Sequence, residues 1–270
     1  MRRAVLMLLG SIVGCAAPEP AASSEAISER AFGFAAVKGC SGALFRFDRM
    51  SGSRPALVIT NGHCVGEYPA PGTVLSDVED AGTRIILRGP GGPVDVDATK
   101  LLVATMTGTD VAVYELATTY DALLDAHGIM PLTLDETLAS DAAPIAIVAG
   151  YYNRTFRCEL DGHVALREGP YRTTAGVRFT TPCRIYTGVS GSPIVTSEGR
   201  FVGLANTHYD GSGEACTYHN PCEVDAAGAI SVAEPGRSYG VLATMLYGCF
   251  DRSTGAPELE RPTCSLRDER

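Results

Sequence analysis

Apolar residues in this chain fall in short runs. From Phe32 onward the runs span about four or five residues, and Gly, Pro, Asp or Ser bound each of them. Such runs, rich in β-branched residues, are typical of β-strands, because a helix needs a longer stretch with a repeat of about 3.6 residues. The pattern predicts strands at 56–60, 84–88, 101–104, 111–114, 144–148, 176–180, 193–196 and 201–205.

Two further segments are less clear. Residues 120–127 fit a short helix, and residues 241–247 fit either a strand or a helix. The chain has 270 residues, with 30 Gly and 16 Pro to supply turns. Many short strands separated by turn residues favour an all-β fold, either a barrel or a sandwich. Periodicity does not choose between the two.

The N-terminus has the pattern of an export signal over residues 1–14. Arg2 and Arg3 precede an apolar core at 4–13. About ten apolar residues cannot span a bilayer core, which needs about 20. The signal therefore predicts export, to the cell envelope or to the exterior.

The signal ends in Ile-Val-Gly-Cys, which resembles a bacterial lipobox. In a lipobox the cysteine receives a lipid and becomes the first residue of the mature chain, so we expect Cys15 to anchor the protein to a membrane. The alternative is an ordinary signal peptide that contains a cysteine. Residues 15–31, rich in Ala, Pro, Ser and Glu, are then expected to form a flexible tether.

Charge excludes one class of partner. The net charge is −9, and no basic run follows Arg3. Nucleic-acid binding needs clustered Lys and Arg to contact phosphates, so we expect no nucleic-acid partner. We expect a monomer.

Eight cysteines remain beside Cys15, and an even number in an exported chain predicts four disulfides. A zinc site is the competing interpretation. The chain has no Cys-x-x-Cys pair and its five His are scattered, so we expect no metal. We also expect no organic cofactor. The eight are Cys40, Cys64, Cys158, Cys183, Cys216, Cys222, Cys249 and Cys264.

Three short motifs carry candidate chemistry. His63 ends Ile-Thr-Asn-Gly-His, Asp110 opens the apolar run Asp-Val-Ala-Val, and Ser190 lies in the turn Gly-Val-Ser-Gly-Ser-Pro. Each motif alone fits an ordinary turn or strand start. Ser190 is not the nucleophile elbow of an α/β-hydrolase, because Ser192 replaces the final Gly of that motif.

Together, in the order His, Asp, Ser, the motifs resemble the chymotrypsin-like serine peptidases, and most closely the bacterial members, including the glutamate-specific ones. The resemblance implies a peptidase domain over 32–270, made of two antiparallel β-barrels with the active site in the cleft between them. Barrel one would span about 32–140, barrel two about 141–248, and a disulfide-tied tail 249–270. It also implies a disulfide between Cys40 and Cys64, beside His63.

The resemblance assigns the roles. Ser190 would be the nucleophile, His63 the general base and Asp110 the carboxylate that orients the imidazole. The backbone N–H groups of Gly188 and Ser190 would form the oxyanion hole.

One residue departs from the family pattern. Trypsin-like enzymes that are activated by cleavage carry Asp before the nucleophile, where it pairs with a newly formed N-terminus. Here that position is Val189, and no Ile-Val-Gly-Gly-like segment precedes Cys40. We therefore expect no activation by cleavage, and we keep open whether the loop is catalytically competent.

Substrate contacts are expected from Arg184, near the position of the trypsin specificity acid, and from Asn206, Thr207 and His208 on a later strand. Arg184 and His208 would favour an acidic P1 side chain, or Arg184 would point to solvent. Pairs between Cys158 and Cys183, Cys216 and Cys222, and Cys249 and Cys264 are one of fifteen possible connectivities. The remaining histidines, His127, His163 and His219, are expected to be structural or on the surface.

The sequence therefore predicts a serine endopeptidase that acts through an acyl-enzyme intermediate. Two alternatives remain, namely a catalytically inactive lipoprotein of the same fold that binds peptide or protein, and a hydrolase active only on esters.

Overall fold

The computed structural model describes residues 32–80, 82–137 and 140–266. The predicted export signal, Cys15 and the whole of the predicted tether, 15–31, lie outside these ranges. Within them, neither α-helix has the length and apolarity needed to cross a membrane.

The first half of the chain forms a closed antiparallel barrel. Its strands pair in the order β1, β5, β6, β8, β3, β2, and a β1–β2 pairing closes the ring. The ladder between β3 and β8 places Thr60 beside Ala112, so the chain leaves β3 next to the start of β8. The strands are β1 Phe34–Val37, β2 Cys40–Arg46, β3 Pro55–Thr60, β4 Val74–Glu79, β5 Arg84–Gly89, β6 Gly92–Thr105, β7 Thr107–Gly108, β8 Val111–Thr119 and β9 Leu132–Thr133.

The second half forms another ring, in the order β11, β10, β13, β14, β17, β12, closed by pairing of β11 with β12. Its core includes Ile147, Phe179 and Ile194, all buried. The strands are β10 Pro144–Ala149, β11 Arg154–Glu168, β12 Tyr171–Phe179, β13 Pro193–Thr196, β14 Phe201–Tyr209, β15 Cys222–Val224, β16 Ile230–Val232 and β17 Arg237–Leu242. The predicted all-β fold with two antiparallel barrels is confirmed.

Every strand predicted from the sequence is present, but the longest ones were underestimated. β6 runs over Gly92–Thr105, whereas only 101–104 has a continuous apolar run. The sequence also predicts a strand at Cys158, but the full extent of β11, Arg154–Glu168, was not predicted, because its polar residues face solvent and bulges break its alternation between Leu160 and Leu166. Barrel strands bend at such bulges, and each bulge interrupts the two-residue period that identifies a strand.

The two helices are short. Helix α1 covers Tyr120–His127, as predicted, and the Thr119 hydroxyl caps its N-terminus. Segment 241–247, which fits either a strand or a helix in the sequence, contains part of each. β17 ends at Leu242 and helix α2 covers Leu246–Cys249.

The chain then returns to the first barrel. Phe250 packs against Phe47 with ring centroids 5.4 Å apart, and Leu266 is buried in the same core. The tail therefore packs on barrel one, although it follows barrel two in the sequence.

The prediction of disulfide bonds is confirmed: four form among the described residues. Cys40–Cys64 joins the start of β2 to the turn after β3, and Cys158–Cys183 joins β11 to the segment before Ser190. Cys216–Cys222 closes a short loop, and Cys249–Cys264 ties the tail to helix α2.

Candidate active site

His63 and Asp110 meet at the end of the first barrel. His63 lies in the 3-10 turn Gly62–Cys64 after β3, and Asp110 directly precedes β8. The antiparallel β3–β8 ladder brings these positions together. A side chain at Gly62 would collide with the Thr105 carbonyl oxygen, 2.1 Å from the added carbon, so glycine is required where the turn passes β6.

Three hydrogen bonds orient the pair. The backbone N–H of His63 donates to Asp110 Oδ1 at 3.1 Å, and His63 Nδ1 lies 2.7 Å from Asp110 Oδ2. Asn61 Nδ2 donates to the Asp110 carbonyl oxygen at 2.8 Å. Because an ionised carboxylate accepts only, Nδ1 carries the proton and Nε2 remains free to accept one.

The pKa of His63 is raised by its surroundings. Burial acts to lower it, but the charge and hydrogen bond of Asp110 and the charge of Glu168 outweigh burial. The imidazolium form is therefore stabilised, which is what a group that takes up a proton during a reaction requires.

Ser190 lies in a sharp turn between the two barrels. Gly188 and Gly191 have φ of +89° and +81°, in the region where glycine has no Cβ penalty. Val189 is fully buried in the core of the second barrel. Ser41 of β2 crosses from the first barrel, since its N–H donates to the Ser190 carbonyl oxygen at 2.8 Å.

The Ser190 hydroxyl donates to the Asn206 carbonyl oxygen at 2.9 Å. Within the described part of the chain it makes no hydrogen bond to His63, although both residues line one cleft of about 310 Å³. The structure thus brings His63, Asp110 and Ser190 to one site with the hydroxyl turned toward Asn206.

The expected oxyanion donors are available. Among the described residues, the backbone N–H groups of Gly188 and Ser190 have no hydrogen-bond acceptor. Both residues line the cleft with His63. Two unused donors beside a hydroxyl are the arrangement that stabilises an oxyanion.

Three of the four expected substrate residues line the cleft, and the fourth does not. Asn206, Thr207 and His208 line the cleft on β14, and burial lowers the pKa of His208. Arg184 does not: its side chain is exposed, with the guanidinium against Gly236. Cys183 and Ile185 are buried and face inward. Because burial alternates along this segment, the side chain of Arg184 between them points outward.

A group of aromatic residues beside His63, made up of Tyr68, Tyr218 and His219, was not predicted from the sequence. The ring of His219, expected to be structural or on the surface, lies 6.5 Å from that of His63 and lines the cleft. Tyr68 stacks on Tyr218 at 5.0 Å. The one available signal was the Cys216–Cys222 spacing, which predicts a small disulfide-closed loop near the pocket but gives no role to the residues inside the loop.

Glu168, at the end of β11, was also missed. Thr207 Oγ1 donates to its carboxylate at 2.8 Å, and His63 and Asp110 lie close enough to act on it through their charges. Burial raises the pKa of Glu168 to about 7, and hydrogen bonds only partly offset this. A carboxyl group with a pKa near neutrality is therefore close enough to His63 to act on it through its charge.

One group of potential metal ligands occurs among the described residues: Cys40, His63 and Cys64. The two sulfurs are bonded to each other in a disulfide. They offer no thiolates, so this group does not have the donor set of a zinc site.

The fold is shared with a solved structure of low sequence identity. The apo protease domain of MamO from Magnetospirillum magneticum superposes with a TM-score of 0.53 at 14% identity, covering 82% of this chain and 97% of that one. The active form of the Rv3671c protease from M. tuberculosis gives 0.49 at 14% identity, covering 91% and 92%. At such identities the likeness concerns the fold alone. No curated protein matches the chain in sequence.

The family assignment comes from the sequence match. Residues 40–204, more than half of the chain, match the trypsin-like peptidase domain, and this range includes His63, Asp110 and Ser190. The family supports a peptidase type of activity. The chain belongs to the trypsin-like peptidase family.

Proposed function

We propose that the protein is a serine endopeptidase with His63, Asp110 and Ser190 as its catalytic triad. The observation that carries the proposal is the His63–Asp110 pair, with Nδ1 2.7 Å from Oδ2, in the cleft that also contains Ser190. This pairing sets the tautomer in which Nε2 can accept a proton from the serine hydroxyl.

The reaction begins with a rotation of the Ser190 hydroxyl from the Asn206 carbonyl toward His63 Nε2. Ser190 Oγ then bonds to the substrate carbonyl carbon while its proton passes to Nε2. The N–H groups of Gly188 and Ser190 receive the oxyanion, and Asp110 stabilises the imidazolium.

The tetrahedral intermediate breaks its C–N bond, and His63 gives the proton to the departing amine. An ester between Ser190 and the acyl group remains. Water attacks this ester, His63 takes one proton from the water, and Ser190 recovers its hydroxyl hydrogen as the acid product leaves.

The test is covalent labelling with a fluorophosphonate probe. We expect labelling of the wild type, none of Ser190→Ala, and full labelling of Ser197→Ala, an exposed serine outside the cleft. An unlabelled wild type would contradict the proposal and favour a peptide-binding protein of the same fold. Labelling together with hydrolysis of p-nitrophenyl esters but not of denatured casein would favour the esterase alternative.

We also propose that the mature chain is lipid-anchored at Cys15, as the lipobox-like sequence suggests. Four disulfides support an oxidising compartment, since such bonds are rare in a reducing cytosol. Metabolic labelling of cells with an alkyne fatty acid should tag the wild type and not Cys15→Ser. Equal labelling of both would contradict the anchor.

A further inference from the structure

The peptide bond between Thr187 and Gly188 is held from one side by Tyr152. Tyr152 Oη donates to the Thr187 carbonyl oxygen at 2.8 Å. Gly188 lies against the same ring: a Cβ there would be 2.8 Å from a ring carbon and 2.9 Å from the hydroxyl. The phenol and its ring therefore fix this peptide at the residue that carries the expected oxyanion donor.

Holding that carbonyl sets the direction of the donor. A trans peptide is planar, and its C=O and N–H point in opposite directions. With the Thr187 oxygen bound to Tyr152, the Gly188 N–H must point away from Tyr152. Reversing the peptide would break the bond to Tyr152 and would exchange an N–H for a carbonyl oxygen at the site where negative charge develops.

The next peptide is held by the other barrel. The Ser41 hydroxyl donates to the Gly188 carbonyl oxygen at 2.9 Å, and the Ser41 N–H binds the Ser190 carbonyl oxygen. Ser41 is fully buried, and its own carbonyl accepts from Thr60 Oγ1 at 2.7 Å. Residues outside the Ser190 loop thus fix the carbonyls of three of its residues.

We propose that Tyr152 is a positioning residue that holds the Gly188 N–H in the direction of the oxyanion, with Ser41 holding the adjoining peptide. The inference rests on the proposed serine-peptidase function. If Asp stood in place of Val189, a charged N-terminus could pair with it and orient the Ser190 loop. In this chain the hydrogen bonds of Tyr152 and Ser41 orient that loop instead.

A different role for Tyr152 would give a different signature. Tyr152 is 44% exposed and its ring lies 5.2 Å from that of Tyr186, so the alternative is that it contacts substrate. A substrate contact made equally in the ground and transition states alters KM, whereas a misdirected oxyanion donor lowers kcat.

The test compares Tyr152→Phe with Tyr151→Phe. The first keeps the ring on Gly188 and removes only the hydroxyl. The second removes the hydroxyl of a neighbouring tyrosine that is equally exposed, at 44%. Three quantities are measured: the rate of fluorophosphonate labelling, kcat and KM on the best-cleaved peptidyl p-nitroanilide of a P1 panel, and inhibition by the matching peptide boronic acid.

For Tyr152→Phe we expect kcat and the labelling rate to fall about tenfold, less than the 10²–10³ that follows loss of a donor itself. KM and the melting temperature should stay at wild-type values. Affinity for the boronic acid, whose adduct carries a tetrahedral oxyanion, should fall by the same factor as kcat. Tyr151→Phe should match the wild type in every measurement.

A Tyr152→Phe variant equal to the wild type, or one that changes KM alone, would overturn the inference while leaving the peptidase proposal intact. Equal losses in both tyrosine variants would also overturn it, because they would indicate a general effect of the loop. An unlabelled wild type would overturn the peptidase proposal and this inference with it.

Discussion

The Ser190 hydroxyl donates to the Asn206 carbonyl oxygen at 2.9 Å, and not to His63. The proposed nucleophile is therefore held in a resting orientation, hydrogen-bonded to a main-chain carbonyl and not to its base. Hydrogen bonds at catalytic sites are often long or misdirected without substrate and form in the substrate complex. A hydroxyl bound to a neutral carbonyl is not activated, so nucleophilicity would arise only when it turns to His63.

Activity should have an acid limb set by His63. The imidazole must be neutral to accept the Ser190 proton, so kcat/KM rises as pH passes the pKa of His63 in the free enzyme. That pKa is raised from its ordinary value of 6.5, because Asp110 and Glu168 outweigh burial. We expect the midpoint above 6.5, measured from the pH profile of kcat/KM.

Glu168→Gln should move this limb to lower pH. The variant removes a nearby negative charge that favours imidazolium while it keeps an acceptor for Thr207. The shift should be less than about one pH unit, since Asp110 remains. Glu198→Gln, at an exposed site, is the control. A profile unchanged in Glu168→Gln would show that Glu168 does not act on His63.

The same variant should change how stability depends on pH. The pKa of Glu168 is raised from 4.5 to about 7 in the folded state, so between these values the native chain holds a proton that the unfolded chain has released. By linkage, this group makes the free energy of unfolding decrease as pH rises through that window. Glu168→Gln removes the effect, and its stability relative to wild type should be higher at pH 8 than at pH 5. Urea unfolding at both pH values measures it, and a constant difference would contradict the assignment.

Val189→Asp should not create a trypsin-like switch. Val189 is fully buried among apolar residues of the second barrel, so an aspartate there would be charged without a partner. We expect a loss of unfolding free energy above that of Val189→Ala, which should be about 1–3 kcal/mol.

A further expectation is that removal of residues 1–31 leaves kcat/KM unchanged. Activity that depends on cleavage within 16–40 would contradict the role given to Val189.

P1 preference should depend on His208 and not on Arg184. His208 lines the cleft, whereas Arg184 is exposed and lies against Gly236. On peptidyl p-nitroanilides that differ only at P1, Arg184→Ala should keep the wild-type ranking and His208→Ala should alter it. Better cleavage after Lys, Phe or Leu than after Glu in the wild type would remove the proposed acidic preference. A changed ranking in Arg184→Ala would place that residue at the site after all.

The sequence by itself determined the chain's class and its candidate chemistry. Short apolar runs bounded by turn residues predicted β8 and β13, because a buried strand needs only a few β-branched residues in succession. The three motifs identified His63, Asp110 and Ser190, since their residue types and order indicate one reaction. Each of these patterns lies within a few consecutive residues, so it can be recognised in one sequence.

Only the tertiary structure decided which distant residues join the site. Glu168 and His219 come to His63 through a barrel strand and a disulfide-closed loop, and neither residue has a local pattern that indicates this. Arg184 leaves the site because burial alternates from one residue to the next, so an uncertainty of one residue reverses its direction. Tyr152 reaches Thr187 across 35 positions of sequence. Closing a barrel brings such positions together, and the registers of all its strands, not any one segment, determine which ones meet.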